Sequence, residues 1–232
     1  MAASTSVIMP VRNGAPFIAE AISSALTQLG DEDEIVVIND ASTDTTHSAV
    51  SSVGDRRIRL VEGFGRGVSA ARNLGLAATS SQFVAFLDHD DLWPRARHKI
   101  MLDALIDDPS LDAVFGRIRI RFDQGVAPSA QYLALDGQLL HGASVCTGLF
   151  RRRILARIGG FEENMSFGED VDYNMRLVEA GMNFGCCEVD SLVYRRHLTN
   201  CSNARQATLD GFTDMLRRKI ARARARNAGI AN

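Results

Sequence analysis

Four short apolar runs alternate with amphipathic segments through the first 94 residues, and that rotation restricts the fold more than any other feature of the chain. SVIMPV (6–11), EIVVIND (34–40), IRLVEG (58–63) and FVAFLD (83–88) are β-branched and apolar, as strands buried on both faces are. Between them, APFIAEAISSALTQ places Ile18, Ile22, Ala25 and Leu26 on one helical stripe. STDTTHSAVSSV opens with capping residues, and GVSAARNLGLAAT groups Val68, Ala71, Leu74 and Ala78. Strand and helix in strict rotation predict an α/β fold, a mostly parallel sheet with crossover helices on both faces. In such sheets the loops at the carboxyl ends of the strands form the ligand crevice. The first, second and fourth runs end in PVRNG, NDASTD and DHDD, so three strand ends aim polar chemistry at one place.

After residue 94 the rotation loosens. RARHKIMLDALIDDP has a helical period, and the alternation of arginine with apolar residues from Arg117 to Phe122 predicts a strand wet on one face, part of a smaller mixed or antiparallel edge. Residues 123–143 carry glycine, proline and polar residues without a period and read as loop. With 232 residues, 46% of them hydrophobic, the chain can bury one substantial core. A formal net charge of -2 gives no global reason to expect nucleic acid as partner. Cys146, Cys186, Cys187 and Cys201 lack zinc-site spacing and read as buried small hydrophobes in a reducing compartment. With no leader-like segment and no apolar run of membrane-spanning length, the expectation is a soluble cytoplasmic protein.

The densest chemistry lies in FLDHDD. In an extended segment side chains alternate, so Asp88 and Asp90 would share a face with His89 opposite. Two carboxylates that close repel; a divalent cation relieves this, and hard oxygen ligands suit magnesium or manganese. A solvated acidic turn ahead of the next helix would explain the same residues. Asp40, at the end of the second run, can cap the following helix or accept hydrogen bonds from a nucleoside. Glu169 and Asp170 open an amphipathic segment in which Val171, Met175 and Val178 would pack inward. There they either complement the helix dipole or do acid–base work.

Four ordered stretches resemble one family. SVIMPVRNGAPFIAEAISSALTQ, VVINDASTDTT, GRGVSAARNLGLAATSSQFVAFLDHDDLWP and IGGFEENMSFGEDVDYNMRLVEAG are similar to the successive signatures of the family 2 inverting glycosyltransferases, which have the GT-A fold. The resemblance runs from about residue 5 to residue 200. It implies one domain over 1–205, with a nucleotide-binding half at 1–94 and an acceptor-side half at 95–205, followed by a basic helix or tail at 206–232. It implies a nucleotide-diphosphate sugar donor, with a UDP-sugar expected, a Mn2+ or Mg2+ ion, and a glycan or lipid-linked acceptor.

Residue by residue, the resemblance implies that Asp40 binds the base and that Pro10 and Val11 line its pocket. Arg12, Asn13, Arg72, Asn73 and His89 would border the donor, Asp88 would meet the ribose or the metal, and Asp90 would bind the metal. His197 matches a segment that often supplies a histidine near the metal, and Arg195 and Arg196 would face the diphosphate or water. Asp170 matches the general base, with Glu169 orienting the loop or sharing the acceptor. Asn39 departs from the usual aspartate and Ala41 from a frequent glycine or serine, which puts the choice of base in doubt. A nucleotidyltransferase or dinucleotide enzyme is the first alternative, weakened because no GxGxxG turn follows the first strand. A binding module without turnover is the second. In the tail, six basic and no acidic residues follow Met215, and Arg218, Arg222 and Arg226 share a helical face, an expected contact for anionic lipid. Oligomeric state is not legible.

Overall fold

The computed structural model describes residues 3–139, 144–165, 167–203 and 205–230. The four apolar runs are strands β1 (Thr5–Val11), β2 (Glu34–Asn39), β3 (Ile58–Glu62) and β4 (Phe83–Phe86). Helices α1 (Ile18–Leu26), α2 (Thr46–Ser51) and α3 (Val68–Ala78) connect them. The chain continues with α4 (Arg97–Asp107), β5 (Ala113–Phe122), α5 (Ala130–Leu133), β6 (Gly148–Arg151), α6 (Arg152–Ile158), α7 (Glu169–Glu179), β7 (Phe184–Arg196) and α8 (Arg205–Ile230). All seven strands join one sheet in the order β3-β2-β1-β4-β6-β5-β7.

The first four strands are parallel, as their sequence rotation requires. β6 then runs antiparallel to both β4 and β5, and β7 lies parallel to β5. The mixed part is therefore continuous with the parallel part, and β7 forms the outer edge beside the arginine-bearing β5. β6 and β7 carry too little periodicity to have been foreseen: β6 is only four residues long, and β7 alternates burial irregularly.

The alternation of side chains along β2 separates the two faces. Val36 and Ile38 join Ala71 of α3 in one buried cluster, whereas Ile35 and Val37 join Ile18 and Ile22 of α1 and Val50 of α2 in another. The inward face of α3 differs from the expected stripe: Ser69, Ala71, Arg72 and Gly75 are buried, and Val68 is exposed. Gly75 approaches Ile8 of β1 closely, and Arg72 lies on the same buried face. On α7 the buried residues are Asp172, Tyr173, Asn174 and Leu177, and the expected Val178 is exposed. There the Tyr173 ring stacks on Phe161 at 3.8 Å and its hydroxyl donates to the Gly159 carbonyl at 3.2 Å, which fixes the rotation of the helix.

Of the four cysteines only Cys146 is buried; Cys186 and Cys201 are exposed, the former on edge strand β7. Within the 123–139 stretch read as loop, only α5 is helical, and residues 140–143 lie outside the described residues. The basic tail is helix α8, docked on the body through buried Met215. Two arginines of its stripe are taken by the protein itself: Arg218 pairs with Asp214 and Glu162, and Arg222 with Asp172 and Glu179. The side chain of Arg226 lies outside the described residues. Among the described residues, no helix is long and apolar enough to cross a membrane.

A Cβ at position 75 would stand 2.4 Å from Cγ2 of fully buried Ile8, with no room for either to yield. Gly75→Val is expected to lower unfolding free energy by about 2 kcal/mol or more through overpacking. Gly75→Ala should fall between, because alanine recovers up to ~1 kcal/mol of helix propensity. Chemical denaturation of the two variants checks the order.

Candidate active site

The loops after β1 and β2 are clamped together by short polar residues. The Asn13 N–H donates to Ser42 Oγ at 2.9 Å, Asn13 Oδ1 accepts from the Thr43 N–H at 2.8 Å, and the Gly14 N–H donates to Thr46 Oγ1 at 2.9 Å. Asp44 closes the network by accepting from the N–H groups of Thr46 and Ala15. Asn13 and Ala41 take φ of 54° and 58°. That left-handed region suits asparagine and glycine better than alanine, which is a physical reason for the glycine that the resembled family often has at the place of Ala41. Asn39, also a departure, donates from Nδ2 to Glu62 Oε2 at 2.9 Å, where an aspartate would set two anions face to face.

Asp40 is buried, and both its oxygens are engaged. Oδ1 accepts from the N–H groups of Gly65 (2.8 Å) and Arg66 (3.2 Å), and Oδ2 from that of Gly67 (2.8 Å). These bonds fold the loop after β3 back over the end of β2, with Gly65 and Gly67 at φ of 68° and 93°. Beside it opens a cavity of about 250 Å³ whose walls include Asp40, Phe64, Arg66, Asn73 and Glu163. Asn73 shapes its far side: its amide exchanges two hydrogen bonds with the Phe161 backbone and donates to Glu163 Oε1 at 3.0 Å. Glu163 in turn pairs with Arg66 at 2.7 Å. Pro10 and Val11 are buried in β1 opposite Ile38 and Asn39, the Val11 carbonyl accepting from the Asp40 N–H at 2.8 Å, and Arg12 is exposed.

The acidic run is a turn and not an extended strand, because the Asp91 N–H donates to the Asp88 carbonyl at 3.1 Å. Asp88 and Asp90 therefore diverge in their partners, and the expected pairing by alternation does not hold. Asp88 Oδ1 binds Arg72, while Asp90 Oδ2 lies 3.1 Å from His197 Nε2. The His89 ring lies over Gly14, where a Cβ would come within 2.4 Å of it. A two-way backbone bridge between Leu92 and Val193 ties the turn to β7 and brings His197 beside Asp90. Arg195 and Arg196 are buried and do not face water. Arg195 donates to the Asp90 carbonyl and Glu20 side chain, its backbone N–H donates to Asp91 Oδ1, and Arg196 lies over the Tyr132 ring at 4.0 Å. Burial, with Asp90 and Asp88 close by, pushes the Asp91 carboxyl well above its ordinary range, against the opposing pull of Arg195. Trp93 packs below the turn as expected, 3% exposed.

Arg72 joins the two halves of the site. Its Nη2 lies 2.9 Å from Asp88 Oδ1, and its Nη1 contacts both Glu169 Oε1 at 2.9 Å and Asp170 Oδ1. Burial, with Glu169 and Asp88 adding negative charge, pushes the Asp170 carboxyl up to about 7 against the opposing pull of Arg72 and the hydroxyl of Ser144. Ser144 Oγ donates to Asp170 Oδ2 at 3.2 Å. Sequence reading missed Ser144, which lies just beyond an aperiodic segment. It also missed Thr199 and Asn200 around His197 and the loop 63–67, whose glycines were the one available signal.

Among the described residues, no group of three or more His, Cys, Asp and Glu side chains stands at metal-holding spacing. The protein does offer a two-residue hold. His197 Nδ1 lies 2.9 Å from Thr199 Oγ1, and Nε2 lies 3.1 Å from Asp90 Oδ2 and 3.0 Å from Asn200 Nδ2, an amide that a cation bound at Nε2 would displace. One oxygen and one imidazole nitrogen fit a divalent cation that takes its remaining ligands from phosphate and water, the habit of magnesium and manganese at nucleotides.

Residues 6–159 match the family described as Glycosyl transferase family 2. The succinoglycan biosynthesis protein ExoO of Rhizobium meliloti is 30% identical over 228 residues, covering 90% of this chain and 65% of that protein. Among solved structures, S. aureus TarS in complex with UDP-GlcNAc superposes with a TM-score of 0.70 at 22% identity, over 87% of this chain and 61% of that one. The mannosyltransferase PcManGT from Pyrobaculum calidifontis, in complex with GDP-Man and Mn2+, gives 0.73 at 22% identity, over 94% and 64%. The chain thus spans less than two thirds of the length of each of these relatives, and it shares the GT-A fold with the two solved structures. On the family match, which covers most of its length, the chain belongs to glycosyl transferase family 2.

Proposed function

We propose that this chain carries out inverting glycosyl transfer from a nucleotide-diphosphate sugar, a UDP-sugar, to a hydroxyl of a glycan or lipid-linked acceptor. The observation that carries the reading is Asp170, at the head of α7 and joined through Arg72 to Asp88 of the acidic turn, its carboxyl pushed up to about 7. A base titrating near neutrality is suited to take a proton from an alcohol. In the proposed step the acceptor oxygen loses its proton to Asp170, forms a bond to the anomeric carbon, and the nucleoside diphosphate leaves from the opposite face. Asp40 and the cavity beside it would receive the base, with Asn73 and the loop 63–67 as walls. Asp90 and His197 would hold a Mn2+ or Mg2+ ion, which when bound offsets the charge of the diphosphate. Support for a nucleotide sugar comes from the ligands of the two structural relatives, and support for a glycan acceptor from the succinoglycan relative.

A thermal-shift panel tests the donor. UDP or GDP should stabilise the protein only with manganese present, and absence of any shift with either would remove the reading. Asp90→Asn is expected to weaken manganese-dependent nucleotide binding by about 10- to 100-fold, a loss read by calorimetry.

Asp170→Asn should lower transfer or slow donor hydrolysis by on the order of 100- to 10,000-fold while leaving nucleotide affinity nearly unchanged. The wild-type rate should rise with pH through about 7 as Asp170 ionises. The same shift acts on stability. The folded carboxyl at about 7 holds its proton more tightly than an unfolded one at 3.8, so its contribution is full below 3.8 and is lost as pH rises through about 7. Asparagine has no such loss. The melting-temperature difference between Asp170→Asn and wild type should therefore move in favour of the variant across that window and level off above it; a difference independent of pH would contradict the assignment.

A further inference from the structure

A side chain that grips a diphosphate needs N–H groups open to the donor, and the Arg72 Nε–H, which has no hydrogen-bond partner, is buried. Arg72 is 1% exposed, and both terminal nitrogens are taken by protein carboxylates from two separate elements: the turn after β4 and the head of α7. The guanidinium plane lies 5.3 Å from the centre of the Phe161 ring, which blocks further approach from that side.

We propose that Arg72 is the positioning residue of the base: it holds the Asp170 carboxylate in place and supplies the counter-charge that lets it release a proton, and it does not bind the donor. The proposal deepens the glycosyl-transfer reading and rests on it. Among the described residues, five groups act on Asp170. Arg72 comes from α3, Glu169 from its own helix, Asp88 from the turn after β4, and Ser144 and the buried Cys146 thiol from the segment ahead of β6. Arg72 is the cation among them. Glu169 and Asp88 favour the protonated acid, and Arg72 opposes them both. The two-pronged contact also fixes direction. With Oδ1 held by Nη1 and Oδ2 by the Ser144 hydroxyl, the carboxylate cannot rotate, so the oxygen that accepts the proton keeps one orientation.

The geometry also assigns different consequences to losing the charge and losing the fork. Arg72→Gln removes both; Arg72→Lys keeps a cation but not the planar pair of donors. Three readouts on the full chain separate them: UDP or GDP affinity with manganese by calorimetry, the ionisation midpoint of the Asp170 carboxyl by carbon NMR, and the pH profile of UDP-GlcNAc or GDP-Man hydrolysis. For Arg72→Gln, nucleotide affinity should stay within about threefold while hydrolysis at pH 7 falls roughly 100-fold. The Asp170 midpoint and the rising limb of the profile should both move to higher pH, because the neutral acid is favoured once its counter-charge is gone. Arg72→Lys should keep the midpoint near the wild-type value yet remain slow. Should Arg72→Gln fail to fold, Arg72→Lys decides alone, since wild-type hydrolysis in it would refute a positioning role. A loss of nucleotide affinity of about tenfold or more with an unmoved Asp170 midpoint would overturn the proposal and make Arg72 a donor ligand. A wild-type protein that hydrolyses no nucleotide sugar removes the glycosyl-transfer reading instead, and the NMR midpoint still reports whether Arg72 governs Asp170.

Discussion

A buried charge must be neutralised where it sits, and the arrangement of this cleft follows from how that is done. Arg72 cannot reach water, so the carboxylates of Asp88, Glu169 and Asp170 gather around it. Those residues lie 16, 97 and 98 positions away along the chain, which makes one guanidinium the point where α3, the acidic turn and α7 are brought into register. Three carboxylates on one cation leave excess negative charge, which together with burial raises the proton affinity of Asp170. Burial beside Asp90 and Asp88 shifts the Asp91 carboxyl in the same direction.

The parallel half of the fold was legible because burial on both faces leaves a direct trace in sequence. Strands β1 to β4 are apolar without alternation, and the helices between them carry the opposite period, so order, direction and crossover all follow. The other half was not legible for the same physical reason. β6 is too short to show a period, and β7 is the last strand of the sheet, met on its outer side by the Leu92 bridge at Val193, a place where polar and apolar residues are both tolerated. The stripe of α3 was misplaced because a buried arginine reads as polar. Periodicity weighs residues by hydrophobicity, and Arg72 is interior for its charge partners.

At the site, residue types were legible and their partners were not. Asp40, Asp88, Asp90, His197, Glu169 and Asp170 do converge on the carboxyl ends of the strands, as strand-end placement predicts. What sequence spacing misassigned is where each carboxylate points. Alternation placed Asp88 and Asp90 side by side, but it presumes an extended backbone, and the backbone there turns. Asp90 instead meets His197, 107 positions on, and Asp88 meets Arg72. Long-range partners of this kind leave no local signal.

The carboxyl-terminal helix extends the same electrostatic logic. The first turn of α7 carries Glu169, Asp170 and Asp172, three acids at a helix start whose dipole alone is worth only about 0.3–1 kcal/mol to a charge. Arg72 takes the first two. Asp172, fully buried, is taken by Arg176 at 2.9 Å and by Arg222 of α8 at 2.7 Å. Arg218 of α8 pairs at 3.1 Å with Glu162, on the loop that Asn73 clips to α3. The helix that presents the proposed base is therefore held by cations from both sides, α3 within the first half of the chain and α8 at its far end. Arg222 of the arginine stripe holds α7 and Arg218 holds the loop ahead of it, so the orientation of Asp170 rests on the grips of α3 and α8 together.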